Sequence, residues 1–242
     1  MPYELKTQYK KILADTITPV SIYLKIRDKF PNSILLESSD YHGNENSFSY
    51  VCCKPIASIS VKGNTLTRKY PDLRTEVISI DESVDVPMLI HDFSREFTAD
   101  SRKFKFINNG LFGFISYDAV QFFEDISLIE KPDKLDIPEI YYAVYQNIIA
   151  INHFKNEAYI FSHSIGDDNN TDEIHQLIDN KNFASFDYRN KQDEISNFTD
   201  EEFLNLVEQA KKHCYRGDVF QLVLSRRFSR GFKGDEFNVY RA

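Results

Sequence analysis

The chain has 242 residues, a formal charge of −8, 42% hydrophobic and 14% aromatic residues, enough apolar length for one large domain or one domain plus part of another. The acidic balance, without a Lys/Arg run, argues against a nucleic-acid footprint, and nothing approaches the roughly 20 apolar residues that span a bilayer. The charged start, MPYELKTQYKK, lacks the apolar core of a signal peptide, and adjacent Cys52 and Cys53 with remote Cys214 make neither a disulfide framework nor a CxxC pair, so a reducing cytoplasm is expected.

In chain order, residues 4–14 read as a short helix. Thr18-Pro19 reads as an N-cap with proline at the first helical position, and Pro31 as the end of the helix that follows. Residues 33–38 read as a strand whose apolar half gives way to Glu37-Ser38, and 40–46 as a polar loop. Strand character runs from Ser47 to Val61 with Pro55 as a break or edge marker, and Lys62-Gly63-Asn64 turns into a hairpin partner at 65–67. Residues 71–84 read as irregular. A helix is expected after Pro87, with Leu89, Phe93 and Phe97 at four-residue steps.

Asn108-Asn109-Gly110 reads as a turn into a strand at 111–117, where Gly113 permits a bulge or close backbone approach. A short helix at 118–125 and a proline-bounded loop at 131–138 follow. Ile140–His153 and Ala158–Ser162 read as a strand pair across a turn at 155–157, and a polar run leads into a helix near 172–181. The charged run 182–197 reads as a linker, placing one domain at 1–185, a linker at 186–197 and a second, incomplete segment at 198–242.

That segment begins with the most explicit local signals. Thr199 and Glu202 have capping-box spacing, and Phe198 and Phe203 sit as a hydrophobic staple. Phe203, Leu206, Val207, Ala210 and Cys214 give the helix one apolar face. Asp200, Glu201 and Glu202 open it, Lys211, Lys212 and His213 close it, and Gly217 supplies the left-handed stop. An apolar strand at 219–225 is expected next, with Gln221 as the one amide in it. Gln221 reads either as an edge residue on a wet face or as a polar group aimed at a substrate.

Glu37-Ser38-Ser39 reads either as a solvated strand end or as a carboxylate beside hydroxyls suited to an amino acid's ammonium and carboxylate. The six histidines form no metal-ligand spacing. His153 and His163 could face each other across a hairpin, without a carboxylate or cysteine beside them. No phosphate-binding glycine loop and no Ser/His/Asp arrangement is present. Tyr117-Asp118 reads as a strand-end cap. Short turns between neighbouring strands, with helices collected separately, argue for an α+β domain on antiparallel sheet.

Several blocks resemble one family in the same order: SILLESS at 33–39, GLFGFISYDAVQFFE at 110–124, FTDEEFLNLVEQAKKHCYRGD at 198–218 and GDVFQLVLSRRF at 217–228. They are similar to anthranilate synthase component I, among the chorismate-utilising enzymes. The resemblance implies stacked antiparallel sheets with outer helices, and a truncated chain holding the N-terminal part and the start of the chorismate-binding domain. It implies amination of chorismate by ammonia with loss of pyruvate to give anthranilate, magnesium as cofactor, a glutamine amidotransferase subunit as ammonia source, and L-tryptophan as feedback inhibitor.

The resemblance carries tryptophan contacts onto Leu36, Glu37, Ser38, Ser49 and Tyr50, and places Gln221 near substrate, where water-using relatives have a lysine. A neutral amide cannot deprotonate water. Ser47 and the Cys52-Cys53 pair depart from the family's usual residues nearby. The magnesium ligands and acid/base residues of the family lie beyond what the chain contains, so the expected fragment is inactive alone. The aminodeoxychorismate synthase component I branch and a non-catalytic amino-acid-binding module are the alternatives.

Overall fold

A computed structural model describes residues 2–37, 47–99, 104–126, 128, 136–181, 187–191 and 193–242. Its contacts divide it into two units, Met1–Phe183 and Ala184–Ala242.

In the first unit the order is β1 (Tyr3–Leu13), α1 (Pro19–Ile26), β2 (Ile34–Leu36), β3 (Phe48–Lys62), β4 (Thr65–Lys69), β5 (Thr75–Ser79), α2 (Val86–Arg95), β6 (Phe97–Ala99), β7 (Phe112–Ile115), a 3-10 turn (Tyr117–Phe122), β8 (Ile140–Asn152), β9 (Glu157–Ser164) and α3 (Thr171–Asp179). The strands make one nine-stranded sheet, β5-β4-β3-β8-β9-β1-β6, with β2 beside β3 and β7 beside β8. Every pairing is antiparallel except β1 with β6.

The long β3–β8 ribbon is the spine. Phe48 pairs with Asn152 at one end and Val61 with Ile140 at the other, and the register slips between Pro55 and Ala57. Proline has no N–H for the ladder, and a bulge is where a sheet tolerates it. Lys54, just before it, takes a positive φ of 57°. The spine has different neighbours on either side of the bulge. Its β2–β9 half packs Val51, Cys53, Ile149 and Ile151 against Ile22 and Ile26 of α1 and Ile174 and Ile178 of α3.

In the other half, Ile59 and Val61 of β3 and Leu66 of β4 share a core with Leu5 of β1, Phe93 of α2, and Tyr3 and Phe97 packed around them. The two ends of the strand order therefore meet in one core, which also takes in Phe93 of α2, so the sheet stacks on itself. This is the expected α+β architecture.

Several local expectations change. Residues 4–14 are a strand rather than a helix: Tyr3 and Leu5 must reach the core, and β9 and β6 take up the backbone of β1 on its two sides. Tertiary pairing overrides the helix propensity of the Glu, Lys and Gln residues. Thr18 does cap α1, through a reciprocal box with Ser21, but the helix stops at Ile26 rather than Pro31. Residues 75–79, expected to be irregular, form β5 on the edge of β4. Phe97 leaves the helical pattern and starts β6. The turn at 62–64 stands, with Gly63 at φ 54°. Gly113 is a close approach: a Cβ there would lie 1.9 Å from the Tyr141 carbonyl oxygen. The loop at 131–138 and the run 40–46 fall mostly or wholly outside the described residues.

The second unit contains β10 (Tyr188–Asn190), β11 (Ile195–Ser196), α4 (Asp200–Arg216), β12 (Phe228–Ser229), β13 (Phe232–Gly234) and α5 (Phe237–Arg241). β10 pairs with β13 and β11 with β12. The stretch 186–197, expected as a linker, thus supplies two short strands, because backbone partners further along the chain return to it. α4 has the expected box, the Thr199 N–H donating to Glu202 Oε2 at 2.8 Å and the Glu202 N–H to Thr199 Oγ1 at 3.2 Å, and Gly217 ends it at φ 81°. None of its residues is buried. Residues 219–225 are irregular, and exposed from Phe220 onward, rather than a strand. A strand needs a neighbour for its N–H and C=O groups, and among the described residues none pairs there.

Candidate functional site

The first candidate lies where β2 ends beside β3. Leu36 pairs with Tyr50, Ile34 with Cys52, and across β3, Ser49 pairs with Ile151 and Tyr50 with Ala150. Directly opposed residues share a face and neighbours alternate. Leu36 and Tyr50 therefore lie on one face, with Glu37, Ser49 and His153 on the other. Four of the five residues expected to bind an amino acid, Leu36, Glu37, Ser49 and Tyr50, come together at this strand end, though distributed over two faces. The fifth, Ser38, lies outside the described residues.

The Tyr50 face is aromatic. Its ring centroid lies 6.3 Å from that of Phe48 and 5.9 Å from Phe112, and Phe48 stacks on Phe106 at 4.6 Å. Burial pushes the Tyr50 phenol up to about 12, so it stays a neutral hydroxyl at any working pH. The opposite face is polar. Ser49 is 0% exposed, and its Oγ lies 2.7 Å from Nε2 of His153. The backbone N–H of His153 donates to the Ser47 carbonyl at 3.1 Å. Burial lowers the pKa of His153, while the negative charge of Glu37 opposes that shift.

His153 was missed as a site residue in the sequence, where it was weighed only against His163. The two histidines do not face each other. His163 is buried between Thr7 and the Asn108 carbonyl, its Nδ1 2.9 Å from Thr7 Oγ1 and its Nε2 2.7 Å from Asn108 O. That makes it a tie between β1, β9 and the loop before β7. The available signal for His153 was its place at the end of a long apolar strand. Only the strand register shows that this place lies beside Ser47 and Ser49.

The second candidate is the stretch after α4. Arg226 organises it: Nε donates to Ser196 Oγ, one terminal nitrogen to Asp200 Oδ1 and the other to the Phe198 carbonyl, all at 2.7 Å. The guanidinium also lies 4.8 Å from the Phe228 ring centroid. Three fixed directions and a stacked ring suit arginine's rigid fork and not lysine. Between α4 and the returning chain lies an open groove of about 550 Å³, lined by Val207, Ala210, Cys214, Leu222 and Leu224 among others. Gln221 is exposed beside it, and Phe220 is fully exposed.

No group of three or more histidine, cysteine or carboxylate side chains fit to hold a metal occurs among the described residues. The magnesium implied by the resemblance therefore has no ligand set in these residues. Among the described residues no helix is long and apolar enough to cross a membrane.

Comparison with known proteins places this geometry. The model of the chorismate binding enzyme family matches residues 37–242. Anthranilate synthase component 1 of Lactococcus lactis is 28% identical over 96% of this chain and 51% of its own length, and that of Aquifex aeolicus 27% over 99% and 50%. The crystal structure of anthranilate synthase component I from Streptococcus pneumoniae superposes with a TM-score of 0.56 at 19% identity, covering 96% of this chain and 51% of that one. The chain spans about half the length of the relatives it matches. With the family model covering both units from Glu37 onward, the chain belongs to the chorismate binding enzyme family.

Proposed function

We propose that the chain is the N-terminal half of an anthranilate synthase component I, taking part in the conversion of chorismate and ammonia to anthranilate and pyruvate, with L-tryptophan binding at the end of β2 as feedback control. The observation that supports this most is the alignment of anthranilate synthase component 1 relatives over 96–100% of the chain, across both units. Gln221 adds chemical support. An amide leaves water unactivated, which suits a reaction whose nucleophile is ammonia. In this reading the ammonia comes from a glutamine amidotransferase subunit, magnesium is held by the other half of the domain, and three free thiols fit a reducing cytoplasm.

Turnover requires donors fixed where charge develops. In this reading the exposed stretch around Gln221 becomes part of a working site only when the other half of the domain is joined to it. The test is a chimera in which this chain replaces the matching half of the Lactococcus lactis relative, supplied with chorismate and ammonium. Anthranilate fluorescence supports the reading. Aminodeoxychorismate as the product moves the chain to the folate-branch sibling, and a folded chimera that makes neither overturns the proposal.

The non-catalytic reading, a stand-alone amino-acid-binding module, is favoured by one observation: the strand-end cluster lies wholly within the first unit, which has its own core. Tryptophan binding by the chain together with an inactive chimera would select it.

A further inference from the structure

Residues 104–112 lead an aromatic segment into β7. The Phe104 ring lies 4.9 Å from Tyr9 and 5.0 Å from Phe161, and Phe106 lies 4.6 Å from Phe48 and 5.1 Å from Tyr159. Two points after these rings are fixed. Asn108 is 2% exposed, and its carbonyl accepts from Nε2 of His163 at 2.7 Å. Phe112 pairs with Ala143 at the start of β7. Between them stands Asn109-Gly110, the one Asn-Gly step in the sequence.

This step is open. Gly110 is exposed at φ 126°, and a Cβ there would meet nothing within 4 Å. Neither the Gly110 N–H nor the Asn109 side chain has a hydrogen-bond partner among the described residues. The main-chain nitrogen is therefore free to approach the neighbouring amide, and glycine brings no side chain into its way.

We infer that Asn109-Gly110 is a site of spontaneous deamidation, and that its isoaspartyl product releases Asn108 from His163. The Gly110 nitrogen attacks Cγ of Asn109. The new N–C bond closes a five-membered succinimide, the Cγ–Nδ2 bond breaks, and Nδ2 leaves as ammonia with the proton from Gly110. Water, the one co-reactant, then opens the ring at either carbonyl. One opening gives aspartate. The other gives isoaspartate, whose main chain runs through Cβ and Cγ.

Isoaspartate lengthens the main chain by one carbon, roughly 1.5 Å, between the two fixed points. β7 is the firmer of them, because it is laddered to β8 from Phe112 to Ile115 and has no room at Gly113 for so much as a methyl group. Asn108 is the weaker. It is buried with its Nδ2 unpartnered among the described residues, and an unpaired buried amide makes that seat costly to keep. The extra length is taken up there, at the His163 bond.

The test uses the full chain, incubated in neutral buffer with and without urea and then mapped by peptide mass. The peptide carrying Asn109 should be the first to show the mass gain of amide-to-acid conversion, at a rate within about 10-fold of the unfolded chain, a difference of less than ~1.4 kcal/mol in the barrier. A folded chain slower than that, or another asparagine converting first, overturns the site. Nitrogen-15 spectra of the histidine rings test the consequence. The His163 Nε2–H signal should move in proportion to the isoaspartyl fraction. It should keep its wild-type position in freshly prepared Asn109→Asp, which has the new charge without the extra carbon, and throughout incubation of Asn109→Ser, which cannot react. A signal unmoved by isoaspartate, or moved equally by Asn109→Asp or by incubating Asn109→Ser, overturns the release of Asn108.

Discussion

The two units differ in what their helices do with their apolar residues. In the first, α1, α2 and α3 each bury side chains in a core shared with the sheet: Ile22, Phe93 and Ile174 are all without exposed surface. In the second, α4 is the longest helix described and has the most complete set of caps, yet buries none of its residues. Caps and macrodipole complementarity specify where a helix starts and stops, each at a cost or gain near 1 kcal/mol. They say nothing about what the apolar face packs against. Of the stripe expected from sequence, Val207, Ala210 and Cys214 line a groove instead of a core, while the Phe203 ring lies 5.9 Å from the Arg226 guanidinium.

The sharpest way to break this contrast is to delete one aromatic from each unit. Phe93→Ala should cost about 3–5 kcal/mol in a denaturant titration, because the ring is fully buried between Tyr70 and Phe97. Phe220→Ala, at a fully exposed side chain, should stay within about 0.5 kcal/mol of the wild type. Equal losses would show that the second unit has a core the structure lacks.

Next in size is backbone crowding. Gly113→Ala places a methyl 1.9 Å from the Tyr141 carbonyl inside the β7–β8 ladder, and should cost about 3 kcal/mol, the upper part of the overpacking range. The counterpart, Gly234→Ala, meets the Asp187 carbonyl at 1.6 Å from a positive φ of 111°. It should part β10 from β13 and leave the thermal transition of the first unit in place. Amide exchange resolved by residue separates the two outcomes. A Gly234→Ala variant that melts the β3–β8 ladder would mean the units do not unfold separately.

Thr199→Ala removes one side of a reciprocal cap and should cost about 1 kcal/mol, visible as faster amide exchange in the first turn of α4. The smallest perturbation is thiol labelling. Cys214 is exposed, while Cys52 and Cys53 are buried, and burial pushes the Cys53 thiol up to about 12. One equivalent of reagent should react at once near pH 8, the other two only on unfolding. In the active chimera described above, protection of Cys214 would show that the groove of α4 has gained its covering.

Much of the fold was legible in the sequence, and for local reasons. The box at Thr199 and Glu202, the left-handed stop at Gly217, the cap at Thr18, the hairpin turn at Gly63 and the close approach at Gly113 each depend on chemistry within a few residues, or on one side chain's absence. The misread parts depend on distant partners. Residues 4–14 carry good helix formers but are a strand, since β9 and β6 lie on their two sides. Residues 219–225 carry strand-forming residues but are irregular, since no strand lies beside them. The candidate site divides the same way. Leu36 and Glu37 were proposed from a sequence block, and Ser49 and Tyr50 from the family resemblance, neither of which carried information about faces.

From sequence alone came the acidic globular character, the α+β class, the caps and turns, and the family blocks that lead to chorismate chemistry. Tertiary structure decided that Ser49 is sealed inside and bonded to His153, that Tyr50 belongs to an aromatic face opposite Glu37, and that Arg226 ties the chain after α4 back to Ser196, Phe198 and Asp200. The reason is physical. Propensity, capping and alternation act over a few residues, whereas which face is covered, and which hydroxyl is left for a ligand, depends on strand register between segments about a hundred residues apart, such as β3 and β8.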